Sequence, residues 1–205
     1  MKTLLLTSAG MNVKEEILKL LSKPANQIKL AHITTASKAE DDIAHVKKDS
    51  QIMADVGFEA QEIDIEGKNE NELRRLLGDK DIIYVQGGNT FYLLKCVRES
   101  GFGKIVKELI RKGVIYIGVS AGSYIACPTI EMANPDKNTV GLTDLRALNL
   151  VPFLLSVHFK PEYALVLKRK ISTSKYPVKI LTDEQAILVR NGETKLVGNG
   201  EEIKI

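Results

Sequence analysis

Val114-Ile115-Tyr116-Ile117-Gly118-Val119-Ser120-Ala121-Gly122 decides the fold. An apolar, β-branched run ends in Gly118-Val119-Ser120-Ala121-Gly122, and Ser123-Tyr124-Ile125-Ala126 follows as a helix start. The pattern reads strand, sharp turn, helix, with a serine at the apex and a glycine two residues to either side. The glycines matter because a Cβ at 118 or 122 would strike the neighbouring strand or helix. Such a turn holds the serine hydroxyl clear of the sheet. It also leaves the Ala121 N–H at a helix start, where it can stabilise an oxyanion. A plain small-residue turn would look alike in isolation; the strand before it and the helix after it favour a nucleophile.

On the N-terminal side of this turn the chain alternates between two patterns. Short apolar runs fall at residues 3–6, 28–34, 58–63, 82–85 and 114–117. Helical periodicity of 3.6 residues fills 13–21, 40–56, 70–77, 91–99 and 104–112. Apolar strands linked by helices predict a parallel sheet covered on both faces, and right-handed crossovers make it flavodoxin-like and doubly wound. Beyond residue 127 the pattern changes. Residues 128–143 read as loop, with Asn134-Pro135-Asp136 and Asn138 as turn formers. A helix over 162–172 precedes strand runs near 178–181, 186–190 and 194–197, the last two joined by Asn191-Gly192, a strong hairpin signal. The expected architecture is α/β, a mostly parallel sheet with antiparallel β additions at the C-terminus. No linker, repeat or low-complexity tract interrupts it, so 1–205 reads as a single domain.

Composition narrows the function classes. A chain of 205 residues, 44% hydrophobic and 27% charged, is an ordinary soluble globular protein. Its net charge of +3 is modest, basic residues are scattered and tryptophan is absent, so a nucleic-acid partner is not expected. Cys96 and Cys127 lie in apolar contexts without metal or redox spacing, and read as reduced, buried thiols of a cytoplasmic protein. Met1-Lys2-Thr3-Leu4-Leu5-Leu6 is broken by Thr7-Ser8 and reads as a first buried strand rather than a signal sequence. Nothing approaches the roughly 18 apolar residues of a membrane span. No metal or organic cofactor is expected.

In doubly wound sheets, sites form beyond the carboxyl ends of the strands. The fifth strand delivers Ser120. The fourth runs into Gln86-Gly87-Gly88-Asn89-Thr90, where the glycines permit close backbone approach and Asn89 or Thr90 can cap the next helix. If these strands are neighbours, the Gly88 N–H can supply a second oxyanion donor. The lysine and hydroxyl of a phosphate-binding loop are missing. A serine needs a base, and the chain offers His32, His45 and His158. His32 reads as a buried strand residue and His45 as part of a solvated helix face. His158 follows the apolar run 151–157 and stands at a strand end, which makes it the candidate base. Asp183 and Glu184 sit in another strand-end turn, with Asp136 and Asp144 as alternatives. Spacing along the chain does not choose among these acids, because triad members meet in space.

These residues resemble the peptidase E (aspartyl dipeptidase) family of serine peptidases, which includes the cyanophycinases. Gly87-Gly88-Asn89-Thr90-Phe91-Tyr92-Leu93-Leu94-Lys95 looks like the family's glycine-rich turn and helix. Tyr116-Ile117-Gly118-Val119-Ser120-Ala121-Gly122, running on to Ala126-Cys127-Pro128-Thr129-Ile130, is similar to its nucleophile segment. His158-Phe159 and Asp183-Glu184 match its histidine segment and late acidic turn. The resemblance implies a fold related to the class I glutamine amidotransferases, with serine in place of cysteine, and a Ser–His–Glu triad. Carried over, Ser120 is the nucleophile, His158 the base and Glu184 its orienting acid, with Gly88 and Ala121 as oxyanion donors. The order Ser, His, acid differs from that of α/β-hydrolases.

Two departures bear on specificity. Gln86 stands where the family often has a third glycine, and the segment after His158 is short and poor in arginine. Asn89, Lys160 and Arg169 are the candidate substrate-binding residues. The function expected is a serine exopeptidase of dipeptidase type acting on short peptides, as monomer or homodimer, with N-terminal aspartate as a candidate preference. The alternatives are a hydrolase of another amide or β-aspartyl bond, and a catalytically silent binding homologue.

Overall fold

The computed structural model describes residues 2–133 and 136–205, so the turn expected at Asn134-Pro135 lies outside the described residues. In chain order the elements are β1 (Thr3–Thr7), α1 (Lys14–Leu18), β2 (Lys29–Ile33), α2 (Ala44–Val56), β3 (Glu59–Ile63), α3 (Glu70–Leu77) and β4 (Ile82–Val85). There follow α4 (Thr90–Ser100), α5 (Phe102–Arg111), β5 (Ile115–Val119), α6 (Ala121–Tyr124), β6 (Leu154–Ser156), α7 (Ala164–Thr173), β7 (Val178–Ile180), β8 (Gln185–Arg190) and β9 (Glu193–Gly198). Local chemistry sets several boundaries. Asn69 caps α3 by accepting from the N–H groups of Asn71 and Glu72, while the Glu72 carboxylate accepts from Asn69 N–H. At the β8–β9 turn, Asn191 and Gly192 both take positive φ (51° and 91°), the requirement of a two-residue hairpin.

Seven strands form one sheet in the order β3-β2-β4-β5-β1-β8-β9. The first five are parallel, and β8 and β9 add antiparallel. A separate pair, β6 and β7, is also parallel. Successive residues of the central strands alternate between two cores. Leu4, Leu6, Ile83, Val85 and Tyr116 pack on the face carrying α3 to α6. Leu5, Ile82, Tyr84, Ile117 and Val119 pack on the opposite face, with Met53 of α2 and Ile17 of α1. Both faces are covered, which is why these strands read as continuous apolar runs.

The edge strand β3 differs from that reading. Glu59, Ala60, Gln61 and Glu62 are exposed and only Ile63 is buried, because β3 pairs on one side with β2 and leaves its other side to solvent. Its charges blunt an edge that would otherwise invite pairing. The helix expected from residue 40 starts at Ala44, and a 3-10 turn at Thr35–Ala39 stands before it. That turn is held by Thr35, whose hydroxyl donates to Asp64 and accepts from the Ile65 N–H.

Candidate active site

Three adjacent parallel strands, β4, β5 and β1, end on the same side of the sheet, and their next residues are Gln86, Ser120 and Ser8. Because β8 runs antiparallel to β1, with Ala186 opposite Thr7, it begins at that same edge and brings Asp183 there. His158 arrives from the second sheet, two residues past β6. Backbone bonds from Leu181 N to Ser156 O (2.8 Å) and from Phe159 N to Leu181 O (3.0 Å) brace it. The ends of β4, β5, β1 and β6 and the start of β8 thus converge on one cleft of about 460 Å3.

Ser120 sits at φ 45° and ψ −104°, a conformation that non-glycine residues rarely adopt. Its surroundings over-determine it. A Cβ on Gly122 would lie 2.1 Å from the Val85 carbonyl oxygen, and one on Gly118 would lie 2.7 Å from the Gly122 backbone. Tyr116 OH donates to Gly122 O (2.6 Å), and Ser120 N–H donates to Thr7 O (3.1 Å). The result is a half-buried hydroxyl 3.0 Å from His158 Nε2. α6 is a single turn of four residues, so local amide donors rather than a long helix dipole face any anion here.

The acid against the imidazole is Asp183. Its Oδ1 lies 2.6 Å from His158 Nδ1. Glu184, expected in that place, turns the other way and accepts from Asn12 Nδ2 at 3.2 Å. Adjacent residues at a turn point in different directions, and the start of β8 directs the first of the pair toward His158. The imidazole beside it, aided by the Ser8 hydroxyl, holds the Asp183 carboxyl below the usual carboxylate range, against the opposing pull of burial. Asp136 instead accepts from Thr90 N–H (2.8 Å) at the start of α4, and Asp144 pairs with Arg146 and Arg98.

The other expected site residues divide. Gly88 lines the cleft, and β4 does neighbour β5. Its φ of 136° and a Cβ clash of 2.5 Å with Ala36 make glycine obligatory there. Ala121 is fully buried, and its N–H, first in α6, has no intrahelical acceptor. Asn89 is not offered to the cleft: its side chain caps α4 by accepting from Tyr92 N–H (3.0 Å) and donates to Lys137 O (3.0 Å). Lys160 and Arg169 are exposed and do not line the cleft. Arg169 sits on α7, whereas Lys160 precedes the 3-10 turn Pro161–Tyr163 and its charge still reaches Asp183.

Several lining residues were not anticipated. Ser8 contacts both His158 and Asp183. Glu40, His45 and Lys48 line the cleft from α2 and the turn before it, and Asp136 lines it as well. Burial, and then the nearby Asp136 carboxylate, push the Glu40 carboxyl up. His45 is solvated as its pattern suggested, yet the solvent it faces is that of the cleft. Gln86 is 1% exposed and points inward, with its amide between His32 Nε2 (3.1 Å) and Asp49 Oδ2 (3.2 Å). Asp49 also accepts from Tyr84 OH (2.7 Å) and Met11 N–H (3.3 Å), so a buried carboxylate at the cleft floor is held by neutral donors. His32 is buried as expected, and that burial lowers its pKa. Among the described residues no group of three or more histidine, cysteine or acidic side chains forms a metal-binding cluster, and no helix is long and apolar enough to cross a membrane.

A serine at the apex of a strand–turn–helix, with an imidazole at hydrogen-bond distance, is the equipment of a serine-type hydrolase. Comparison with known proteins narrows the class. Residues 4–197 match the model of peptidase family S51. An uncharacterized peptidase from Listeria monocytogenes serovar 1/2a is 32% identical over 199 residues, covering 94% of this chain and 97% of that one. Peptidase E from Nostoc sp. is 32% identical over 165 residues, 77% of this chain and 66% of its own. Among solved structures, a candidate peptidase E from Listeria monocytogenes EGD-e superposes with a TM-score of 0.87 at 30% identity, over 98% of this chain and all of that one. The chain belongs to peptidase family S51, and it is a serine-type peptidase.

Proposed function

We propose that this peptidase is an exopeptidase of dipeptidase type, working through Ser120, His158 and Asp183. The observation that carries the reading is the unbroken line of contacts from Ser120 Oγ to His158 Nε2 (3.0 Å) and from Nδ1 to Asp183 (2.6 Å). Ser120 attacks the scissile carbonyl while His158 takes its proton, and Asp183 holds the imidazole with its Nδ1–H turned inward. The Gly88 and Ala121 amides face the developing oxyanion. His158 returns the proton to the leaving amine, and water then releases the acyl group by the same steps in reverse roles. This chemistry calls on no metal or organic cofactor, and one domain carries all of it.

Charge in the cleft speaks to the substrate. Glu40 and Asp136 both line the cleft, and burial followed by the Asp136 carboxylate raises the Glu40 carboxyl; two acidic groups bordering one cleft favour a bound α-ammonium and hence a free peptide N-terminus. An N-terminal aspartate would meet one lysine or arginine among the described lining residues, Lys48, against the acidic residues Glu40, Asp49, Asp136 and Asp183. We therefore read the enzyme as a dipeptidase with at most a weak preference for aspartate. A panel of Asp-Xaa, β-Asp-Xaa, neutral dipeptides and N-acetylated dipeptides tests this. Hydrolysis confined to free N-termini, lost in Ser120→Ala by several orders of magnitude, supports the reading. Equal cleavage of acetylated substrates would refute the exopeptidase assignment, and a strong Asp-Xaa preference abolished by Lys48→Ala would overturn the specificity.

A further inference from the structure

We propose that Ser8 is a positioning residue that aligns the His158–Asp183 pair; the inference rests on the reading of Ser120, His158 and Asp183 given above. Ser8 follows β1 directly, is fully buried beneath the cleft, and makes two directed hydrogen bonds. Its Oγ accepts from the His158 backbone N–H at 2.8 Å and donates to Asp183 Oδ1 at 2.7 Å. A hydroxyl has one proton to give. With that proton committed to Asp183, the 3.3 Å approach of Ser8 Oγ to His158 Nδ1 is not a donor contact. Nδ1 therefore keeps its own proton for Asp183 Oδ1, and Nε2 is left as the acceptor facing Ser120.

The backbone argues the same way. His158 has φ 55°, an unfavourable conformation for a residue with a Cβ, and Ser8 accepts the N–H of that very residue. Ser8 N–H also donates to Gln185 O (3.4 Å), tying β1 to the residue that follows the acidic turn. Two residues of different chain segments are thus held to one hydroxyl. The same connection sorts the acids, because Asn12 Nδ2 donates to Glu184 Oε1 and to the Asp183 carbonyl (3.4 Å) while Ser8 takes the Asp183 carboxylate. The arrangement shows why Asp183 rather than Glu184 meets the imidazole.

The test measures the second-order rate of covalent labelling by a fluorophosphonate for wild type, Ser8→Ala, Ser8→Cys, Asp183→Asn and the Ser8→Ala/Asp183→Asn double variant. Ser8→Ala is expected to label about 10- to 100-fold more slowly, the range for losing a hydrogen bond to a charged group and a small misalignment of the base. Ser8→Cys keeps a weak donor of similar size and should fall between the two, a rescue that a merely structural site would not give. Because Ser8 acts through Asp183, the double variant should be little slower than Asp183→Asn alone. If Ser8→Ala fails to fold, Ser8→Cys carries the comparison. Labelling of Ser8→Ala within about twofold of wild type, or full multiplication of the two single losses, would overturn the role of Ser8 while leaving the reacting set intact. Undiminished labelling of Asp183→Asn would instead remove the reading on which Ser8 depends.

Discussion

Replacing Asp183 by Asn separates the acid seen against His158 from the acid next to it. In the wild type the Nδ1–H of His158 faces a carboxylate oxygen at 2.6 Å. An asparagine of the same size can present its NH2 group there, which favours the tautomer with the proton on Nε2. That nitrogen then confronts the Ser120 hydroxyl as a donor and no longer removes its proton. For a fully buried acid the cost of such a change is about 10^4-fold in kcat. Asp183 is half exposed, at 48%, so water partly replaces the lost carboxylate. We expect about 10^3-fold, or ~4 kcal/mol of transition-state stabilisation at 1.36 kcal/mol per decade. Glu184→Gln removes only a surface contact to Asn12 and should cost less than about fivefold. Steady-state hydrolysis of the best dipeptide from the panel, with melting curves to confirm folding, reads both. A collapse of Glu184→Gln alongside a near-normal Asp183→Asn would refute the assignment of Asp183.

Three further outcomes follow from the same geometry. Gly122→Ala drives a methyl into the Val85 carbonyl, so β4 and α6 must part; we expect a loss of about 1–3 kcal/mol in stability and about 10^2-fold in activity. Gly192→Ala meets nothing within 4 Å but keeps φ at 91°, so urea titration should show about 1–2 kcal/mol lost with kcat/KM unchanged. Asp183 has a lowered folded-state pKa, so its ionisation contributes stability that is present above the unfolded carboxylate value of about 3.9 and fades as pH falls below it through the folded value. The stability difference between wild type and Asp183→Asn should therefore shrink steadily below about pH 4, and a constant difference down to pH 2 would contradict the shift.

The nucleophile turn, the glycine turn after β4 and the Asn191-Gly192 hairpin were legible because each is local: a few residues fix backbone conformation by steric rules alone. The edge position of β3 was hidden, since a run from Phe58 to Ile63 gives no sign of which neighbours it will have. Insertion of β1 between β5 and β8 was equally silent, although it is what carries Ser8 to the site. The choice of Asp183 over Glu184 depends on where the turn leading into β8 points once β8 is paired with β1, a long-range fact. Helical periodicity identified the solvated side of α2 but did not show that His45 and Lys48 on that side border the cleft. Asn89 shows the converse: its polarity suggested binding, while its position at a helix start assigned it to capping.

Covalent labelling of the wild-type chain with a fluorophosphonate, followed by peptide mass mapping, tests the central claim most directly. A hydroxyl activated by an imidazole at 3.0 Å should yield a single adduct on Ser120, lost in Ser120→Ala and slowed by several orders of magnitude in His158→Ala. An adduct on any other residue, or equal labelling of Ser120 without His158, would contradict it.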